Sequence, residues 1–349
     1  MEHVYMEGGF TMKAMLLEQF GQPLRYGEVP DPVPGYGEVV LDVEACGVCH
    51  SDLKIISGMH PNCAQIRLPF IPGHEVVGRV SAAGSGVNGW KIGERALVSI
   101  YMGCTTCDSC RAGMEQLCES DELQIIGFTE NGGYAQKMKV RARNLVPISD
   151  EIPAAEAAVI TDAVATCWRA AFEAANIKSG EKALVIGFGG LGVHMAQILN
   201  SCGVDVTVCE PCREKVTIAG ELGLNQVFCG YAEDLPADET FHTIFDVTGK
   251  ITNYNGILSH LKRRGKFVMV GYSVNSPSLF SSAAAHVNEL SLIGTRGHSV
   301  KNLKDALKMV EMGKIKPIIG AVNSLENANE VLRQLNDGGH ICGRFVLIP

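Results

Sequence analysis

Lys182-Ala-Leu-Val-Ile186 runs straight into Gly187-Phe188-Gly189-Gly190-Leu191-Gly192, and an apolar stretch at helical spacing follows to Cys202. A short apolar strand, a glycine turn and a helix in that order form the context of a dinucleotide fingerprint. The first glycine permits the tight turn. The second lets the backbone approach a pyrophosphate, and the last lets helix and strand pack closely. The opening turn of the helix adds free N–H groups and the positive end of a dipole for the phosphates. Val204–Cys209 is the next strand, and Glu210 ends it 18 residues after Gly192. An acidic side chain there accepts hydrogen bonds from ribose hydroxyls and repels a 2′-phosphate, favouring NAD over NADP. Arg213 lies close enough in sequence to stack on adenine or to assist NADP instead.

Outward from this turn, strand and helix signals alternate. Thr243–Val247, Lys266–Val270 and Leu290–Gly294 read as strands, while Asn253–Lys262 and Asn302–Met312 read as helices. Such alternation predicts a doubly wound parallel sheet with helices on both faces. Upstream the pattern differs. Lys13 begins a strand-like run, and Glu38-Val-Val-Leu-Asp-Val-Glu-Ala alternates as a half-buried strand. Val76–Ala82, Arg95–Ser99 and Tyr134–Val140 continue a mostly β region to about residue 150, and Ala154–Ala175 then reads as helix.

The 349 residues suit two domains. With 46% hydrophobic and 19% charged residues, the chain has a globular balance. Thirty Lys+Arg against 38 Asp+Glu leave −8, so a nucleic-acid partner is not expected. No signal-like start and no apolar run of about 18 residues is present, which predicts a cytoplasmic protein without a membrane partner.

Thirteen cysteines in a long chain without an export signal favour metal binding over a disulfide framework. Cys104, Cys107, Cys110 and Cys118 place four thiols within 15 residues. That spacing suits a closed tetrahedral zinc site, with an iron–sulfur cluster as chemical rival and disulfides as the weaker reading. A second group is dispersed: Cys49 in Gly47-Val-Cys49-His50-Ser51-Asp52, and His74 with Glu75 after Gly73. Taken singly, Cys49 is a buried thiol or half of a Cys46-x2-Cys49 redox pair, and His74 an ordinary packed histidine.

In combination these motifs resemble the zinc-dependent medium-chain alcohol dehydrogenases, in the family's order from Lys13 to Pro349. The resemblance implies a mostly β GroES-like catalytic domain from residues 13–160 and 296–349, with a zinc lobe near 104–118. A Rossmann NAD-binding domain spans 161–295, and residues 1–12 form an N-terminal extension. It implies two zinc ions per subunit. Cys49, His74 and Asp162 hold the catalytic one, Asp162 standing in Thr161-Asp162-Ala-Val-Ala-Thr where many members have cysteine, and Glu75 is a further or alternating ligand. The four-cysteine lobe holds the structural ion.

By the same resemblance Ser51 relays the alcohol proton, although Lys54 replaces the histidine that often continues the route. Asp52 orients His74; His50 and Arg344 approach the cofactor phosphates; Met59, His60 and Tyr101 line the substrate pocket. The implied reaction is reversible NAD-linked oxidation of a primary or secondary alcohol to an aldehyde or ketone, by a homodimer or homotetramer. Polyol, threonine or formaldehyde dehydrogenases share the scaffold. Zinc-independent quinone or enoyl reduction and a nucleotide-binding redox sensor, suggested by Cys209-Glu-Pro-Cys212, are the competing readings.

Overall fold

The computed structural model describes residues 10–251, 253–274, 279–338 and 341–349. The expected extension over 1–12 therefore falls largely outside the described residues, and Thr11 and Met12 already belong to the strand Thr11–Leu16. The chain forms two compact units. One contains residues 1–161, 321–338 and 345–349; the other contains 162–320 and 339–344.

In the first unit, Glu38–Val48 is the central strand. It pairs antiparallel with Glu75–Ala83, with Lys137–Arg141 and with Arg344–Ile348, and Arg95–Val98 and Leu145–Pro147 extend the sheet. The alternation in its sequence is only half kept. Asp42 is exposed, but the strand's register shifts at Val40/Leu41 and Val43/Ala45, and nearly every residue from Val39 to Val48 is buried or half-buried. Bulges of this kind re-aim side chains at the end of a strand. Here the strand delivers Cys49 to the helix His50–Ile56.

The second unit is built on a six-stranded parallel sheet in the order Gln226–Phe228, Asp205–Cys209, Lys182–Ile186, Phe241–Asp246, Leu261–Met269, Ser291–Gly294. The strand order reverses beside Lys182–Ile186, the switch point at which open α/β sheets bind ligands beyond their carboxyl ends. The alternation read from the sequence is thus realised as a doubly wound sheet. At the glycine turn, Gly187 has φ +96°, and a Cβ at Gly192 would lie 1.9 Å from the Gly187 carbonyl oxygen. Only glycine fits either position. The helix it opens, Gly192–Ser201, is buried along most of its length, as expected of a helix packed on a two-sided sheet.

Two expectations are corrected. Asn253–Lys262 is not one helix: a short turn, Asn255–Leu258, precedes the strand Leu261–Met269, which takes up Lys262. The run Lys262-Arg-Arg264 is exposed and Arg264 has φ +62°, so polar residues on an irregular strand imitate a helix's solvent face. The alanine-rich helix is also interrupted. Two π-helical turns, Ile160–Val164 and Ala170–Ala174, flank the helix Ala165–Arg169. Among the described residues no helix is long and apolar enough to cross a membrane.

His194, fully buried on the helix Gly192–Ser201, braces the glycine turn. Its Nε2 accepts the Ile318 N–H at 2.9 Å, so Nδ1 carries the proton and donates to the Gly190 carbonyl at 2.7 Å. Burial, with the Arg344 charge adding to it, pulls its pKa down to about 4 from 6.5. A histidine depressed in the folded state loses stability as pH falls from the unfolded value through the folded one, because the unfolded chain binds the extra proton. Acidification from pH 6.5 to 4 is therefore expected to cost about 3 kcal/mol through this residue. Urea unfolding across that window measures it. His194→Gln should be less stable at pH 7 yet lose less on acidification, and equal pH slopes would refute the assignment.

Candidate active site and zinc lobe

Cys49 stands at the N-terminal boundary of the helix His50–Ile56, where its N–H donates to Asp52 Oδ2 at 2.8 Å. Asp52 is wholly buried and holds three groups at once. Its Oδ1 lies 3.1 Å from His74 Nδ1, and Oδ2 also accepts the Tyr134 hydroxyl at 2.9 Å. With Nδ1 engaged by a carboxylate, His74 presents Nε2 as a ligand atom, the carboxylate–histidine arrangement that orients metal-binding imidazoles. Burial opposes a charge on His74, but Asp52 and Cys49 outweigh it and raise its pKa well above the ordinary value. Proton and metal ion compete for that nitrogen.

Glu75, fully buried, pairs with Gly47 across the sheet. A Cβ at Gly47 would fall 2.1 Å from Glu75 Oε2, so the glycine leaves the carboxylate its place. Asp162 sits on the π-helical turn Ile160–Val164, continuous with Thr161. Single π turns insert an extra residue and recur at functional sites. Its Oδ1 accepts the Thr166 hydroxyl at 2.7 Å and its Oδ2 a guanidinium N–H of Arg344 at 2.9 Å. Within the first unit, one ligand atom from each of Cys49, His74 and Glu75 lies within 4.8 Å of the others. Zinc bonds of 2.0–2.3 Å in tetrahedral array need donors roughly 3.3–3.8 Å apart, so this soft-and-hard set fits zinc after small movements. The buried acids add a second argument, because carboxylates gathered in a dry interior favour a cation among them.

The four lobe cysteines also come together. Cys104 and Cys110 sulfurs lie 4.0 Å apart, and those of Cys107 and Cys118 lie 3.9 Å apart. A tetrahedron of 2.3 Å zinc–sulfur bonds sets its corners roughly 3.8 Å apart. Backbone N–H groups aim at the sulfurs: Thr106 and Cys107 at Cys104, Cys110 at Cys107, Cys104 at Cys118. The Thr106 hydroxyl, then the Cys107 and Thr106 amides, lower the Cys104 thiol to about 5. These are thiolate-stabilising contacts, suited to a metal. All thirteen cysteines are free thiols.

The redox alternatives fare less well. Cys46 is buried, and burial together with Asp52 and Glu75 raises its pKa well above the ordinary thiol value, which leaves it inert. Burial likewise pushes Cys209 up to about 12.

At the glycine turn, a Cβ at Gly189 would meet nothing, leaving the room that a phosphate needs. Glu210 is buried, with Oε2 accepting the Phe188 N–H at 2.7 Å and Oε1 the Cys212 N–H at 3.0 Å. It is tied to the turn itself, a link its place in the sequence does not reveal. Arg213 is exposed at the start of the helix Arg213–Glu221. His50, exposed, and Ser51, half-buried, open the helix after Cys49. Of the pocket candidates, His60 packs at a tilt with its ring 5.0 Å from that of Phe128, which is 4.7 Å from the His74 ring. Met59 is largely exposed, and Tyr101 is buried in the strand Tyr101–Met102. The sequence alone assigns no role at the site to Tyr134 or Phe128. A large aromatic directly after Gly132-Gly133 was the available signal for the first, since a buried tyrosine hydroxyl needs a partner.

Residues 35–150 match the family model described as the alcohol dehydrogenase GroES-like domain, and residues 190–312 match that of zinc-binding dehydrogenases. An alcohol dehydrogenase of Geobacillus stearothermophilus is 34% identical over 96% of this chain and 99% of its own length. The chain belongs to the zinc-dependent medium-chain alcohol dehydrogenase family. The chain's relatives are broader in chemistry: an acryloyl-coenzyme A reductase of Sulfurisphaera tokodaii is 28% identical over 97% of this chain and 100% of its own. Among solved structures, acetophenone reductase from Geotrichum candidum in complex with NAD superposes with a TM-score of 0.88 at 31% identity, covering 97% of both chains. The family places the protein among oxidoreductases acting on small molecules, with the GroES-like and Rossmann-type folds that its two largest sheets display.

Proposed function

We propose that this protein is a zinc-dependent, NAD-linked dehydrogenase that reversibly oxidises a primary or secondary alcohol to an aldehyde or ketone. The observation that carries the reading is the buried donor group Cys49, His74 and Glu75, with His74 oriented by Asp52, and Asp162 is the ligand proposed to complete it. A zinc ion held there, with NAD at the glycine turn, would supply Lewis acidity toward the substrate oxygen and an acceptor for hydride. Cys49 and Asp162 bring negative charge to the ion and His74 a neutral nitrogen, while Glu75 stands ready as a further oxygen ligand. Ser51, two residues after Cys49 in the chain, carries the hydroxyl proton outward. His60 and Phe128, packed toward His74, line the alcohol's side of the site together with Met59 and Tyr101.

For the cofactor, Gly187, Gly189, Gly190, Leu191 and Gly192 cradle the pyrophosphate, assisted by His50 and Arg344. Glu210 receives the adenosine ribose, and Arg213 lies beside the adenine. The four-cysteine lobe holds a second, structural zinc. The thirteen free thiols suit a reducing, cytoplasmic setting. Assembly as a homodimer or homotetramer completes the proposal.

The test is turnover across a panel of alcohols, polyols and enoyl thioesters with NAD(H) and NADP(H), before and after chelation. Alcohol oxidation that needs zinc and prefers NAD is expected. Enoyl reduction without zinc, or cofactor binding with no turnover, would overturn the proposal. Within that assay, Glu210→Gln removes the charge but keeps one acceptor for the turn. It should lower the NAD-over-NADP ratio of kcat/KM by about tenfold or more, because like charges in contact are strongly unfavourable. An unchanged ratio would remove Glu210 from cofactor choice.

A further inference from the structure

Asp162 has both oxygens engaged: Thr166 donates to Oδ1 and Arg344 to Oδ2. The Arg344–Asp162 pair is almost completely buried. The same guanidinium also lies against the glycine turn, where a Cβ at Gly190 would come within 2.6 Å of Arg344 Nη1. Its backbone is fixed, since the Arg344 N–H donates to the Ile318 carbonyl at 3.0 Å, and Ile318 N–H is held by His194, which in turn holds Gly190. A hydrogen-bonded frame therefore places one guanidinium between a carboxylate and the turn.

We infer that Arg344 is a positioning residue for Asp162 and couples nucleotide binding to the grip of that carboxylate on metal. The inference rests on the zinc and NAD reading above. Without nucleotide, the guanidinium shares the negative charge of Asp162 and repels a divalent ion, so the carboxylate is a weakened ligand. A pyrophosphate arriving at Gly189 and Gly190 offers the same planar fork of N–H donors a second anion, and arginine suits phosphate as well as carboxylate. As the guanidinium turns toward the phosphates, Oδ2 is released to the metal, while Thr166 keeps Oδ1 and hence the carboxylate's orientation. Each ligand then strengthens the other, and linkage makes the effect reciprocal.

Zinc affinity, measured by competition with a colorimetric chelator with and without saturating NADH, tests this. A Cys49→Ala chain supplies the baseline for the lobe's ion. In the unmodified protein NADH should tighten the second zinc by about tenfold, within the usual range for coupled sites, and stripping that zinc should weaken NADH by the same factor. Arg344→Gln should hold zinc more tightly than the unmodified protein when NADH is absent, with NADH adding less than about twofold. Arg344→Lys should keep part of the coupling. A merely structural arginine predicts the reverse for the glutamine variant, namely looser zinc. That outcome, or no effect of NADH on zinc in the unmodified protein, would overturn the inference. Asp162→Asn separates it from the underlying proposal. If that variant holds its second zinc normally, Asp162 is no ligand and the zinc reading itself fails at this residue. If the zinc is lost but the unmodified protein shows no coupling, only the inference falls.

Discussion

Cys49→Ala is expected to leave one zinc per subunit instead of two and to lower alcohol turnover by at least about a thousandfold, the scale of several kcal/mol of charge stabilisation. The argument rests on what the substitution spares. Cys49 binds Asp52 through its backbone N–H, which alanine retains, so the start of the helix His50–Ile56 and the Asp52 contacts to His74 and Tyr134 should survive. Only a sulfur is removed, and with it the soft, anionic member of the donor set. His74, Glu75 and Asp162 remain, a poorer match to zinc's preference for nitrogen and sulfur. NADH binding, read by fluorescence, should change far less than turnover, by no more than about the tenfold coupling typical of linked sites. Asp52→Asn provides the graded comparison. It keeps the side chain's shape but disturbs the partner of His74 Nδ1, and outer partners of this kind are worth about 10–100-fold. Metal analysis decides the matter. Two zincs in the Cys49→Ala chain would remove Cys49 from the site, and the catalytic proposal would lose its central ligand.

The ease with which different parts of this molecule can be read follows from the range of the forces that build them. The second unit's sheet is legible because each strand is a short apolar run and the glycine turn constrains its own backbone, so local sequence carries most of the information. Asn253–Lys262 misleads for the opposite reason. Its helical pattern is short, and the polar residues Lys262 to Arg264 belong to a strand whose exposed stretch is fixed by its neighbours. The π turn that carries Asp162 is likewise silent in an alanine-rich run, since apolar residues fill a helix and a π bulge equally well. At the site, cysteine spacing exposed the lobe directly, whereas Cys49, His74 and Asp162 needed family resemblance, being far apart in sequence. Tyr134 holds Asp52 from 82 residues away, and Arg344 reaches Asp162 across 182. Contacts of that span are products of the completed fold, and no local pattern marks them.

The lobe yields the second large effect. Cys118→Ser should abolish its zinc and leave the catalytic metal in place, provided the two ions are held independently. The segment from Cys104 to Cys118 has little with which to replace the metal. It contains only a four-residue helix and a three-residue 3₁₀ turn, and most of its side chains are exposed or half-buried. Several of its amides point at sulfur: Thr106 and Cys107 donate to Cys104, and Cys110 donates to Cys107. These bonds gather negative charge on neighbouring sulfurs, whose mutual repulsion a bound cation removes and an empty lobe does not. Loss of the ion should therefore loosen the whole segment. Cys104, Cys107 and Cys110 should become reactive toward a thiol reagent, and limited proteolysis should cut between Gly103 and Glu119. The thermal midpoint should fall by roughly 5–10 °C, whereas the intact second-unit sheet should still bind NADH. Arg141 and Arg143 give the lobe an anchor outside the cysteines, donating to the Met102 and Gly103 carbonyls. Damage should accordingly stop near Gly103 and spare the strand Lys137–Arg141. If the variant kept two zincs and left its remaining lobe thiols protected, the lobe would be a self-supporting loop, and the metal's role in folding it would have to be abandoned.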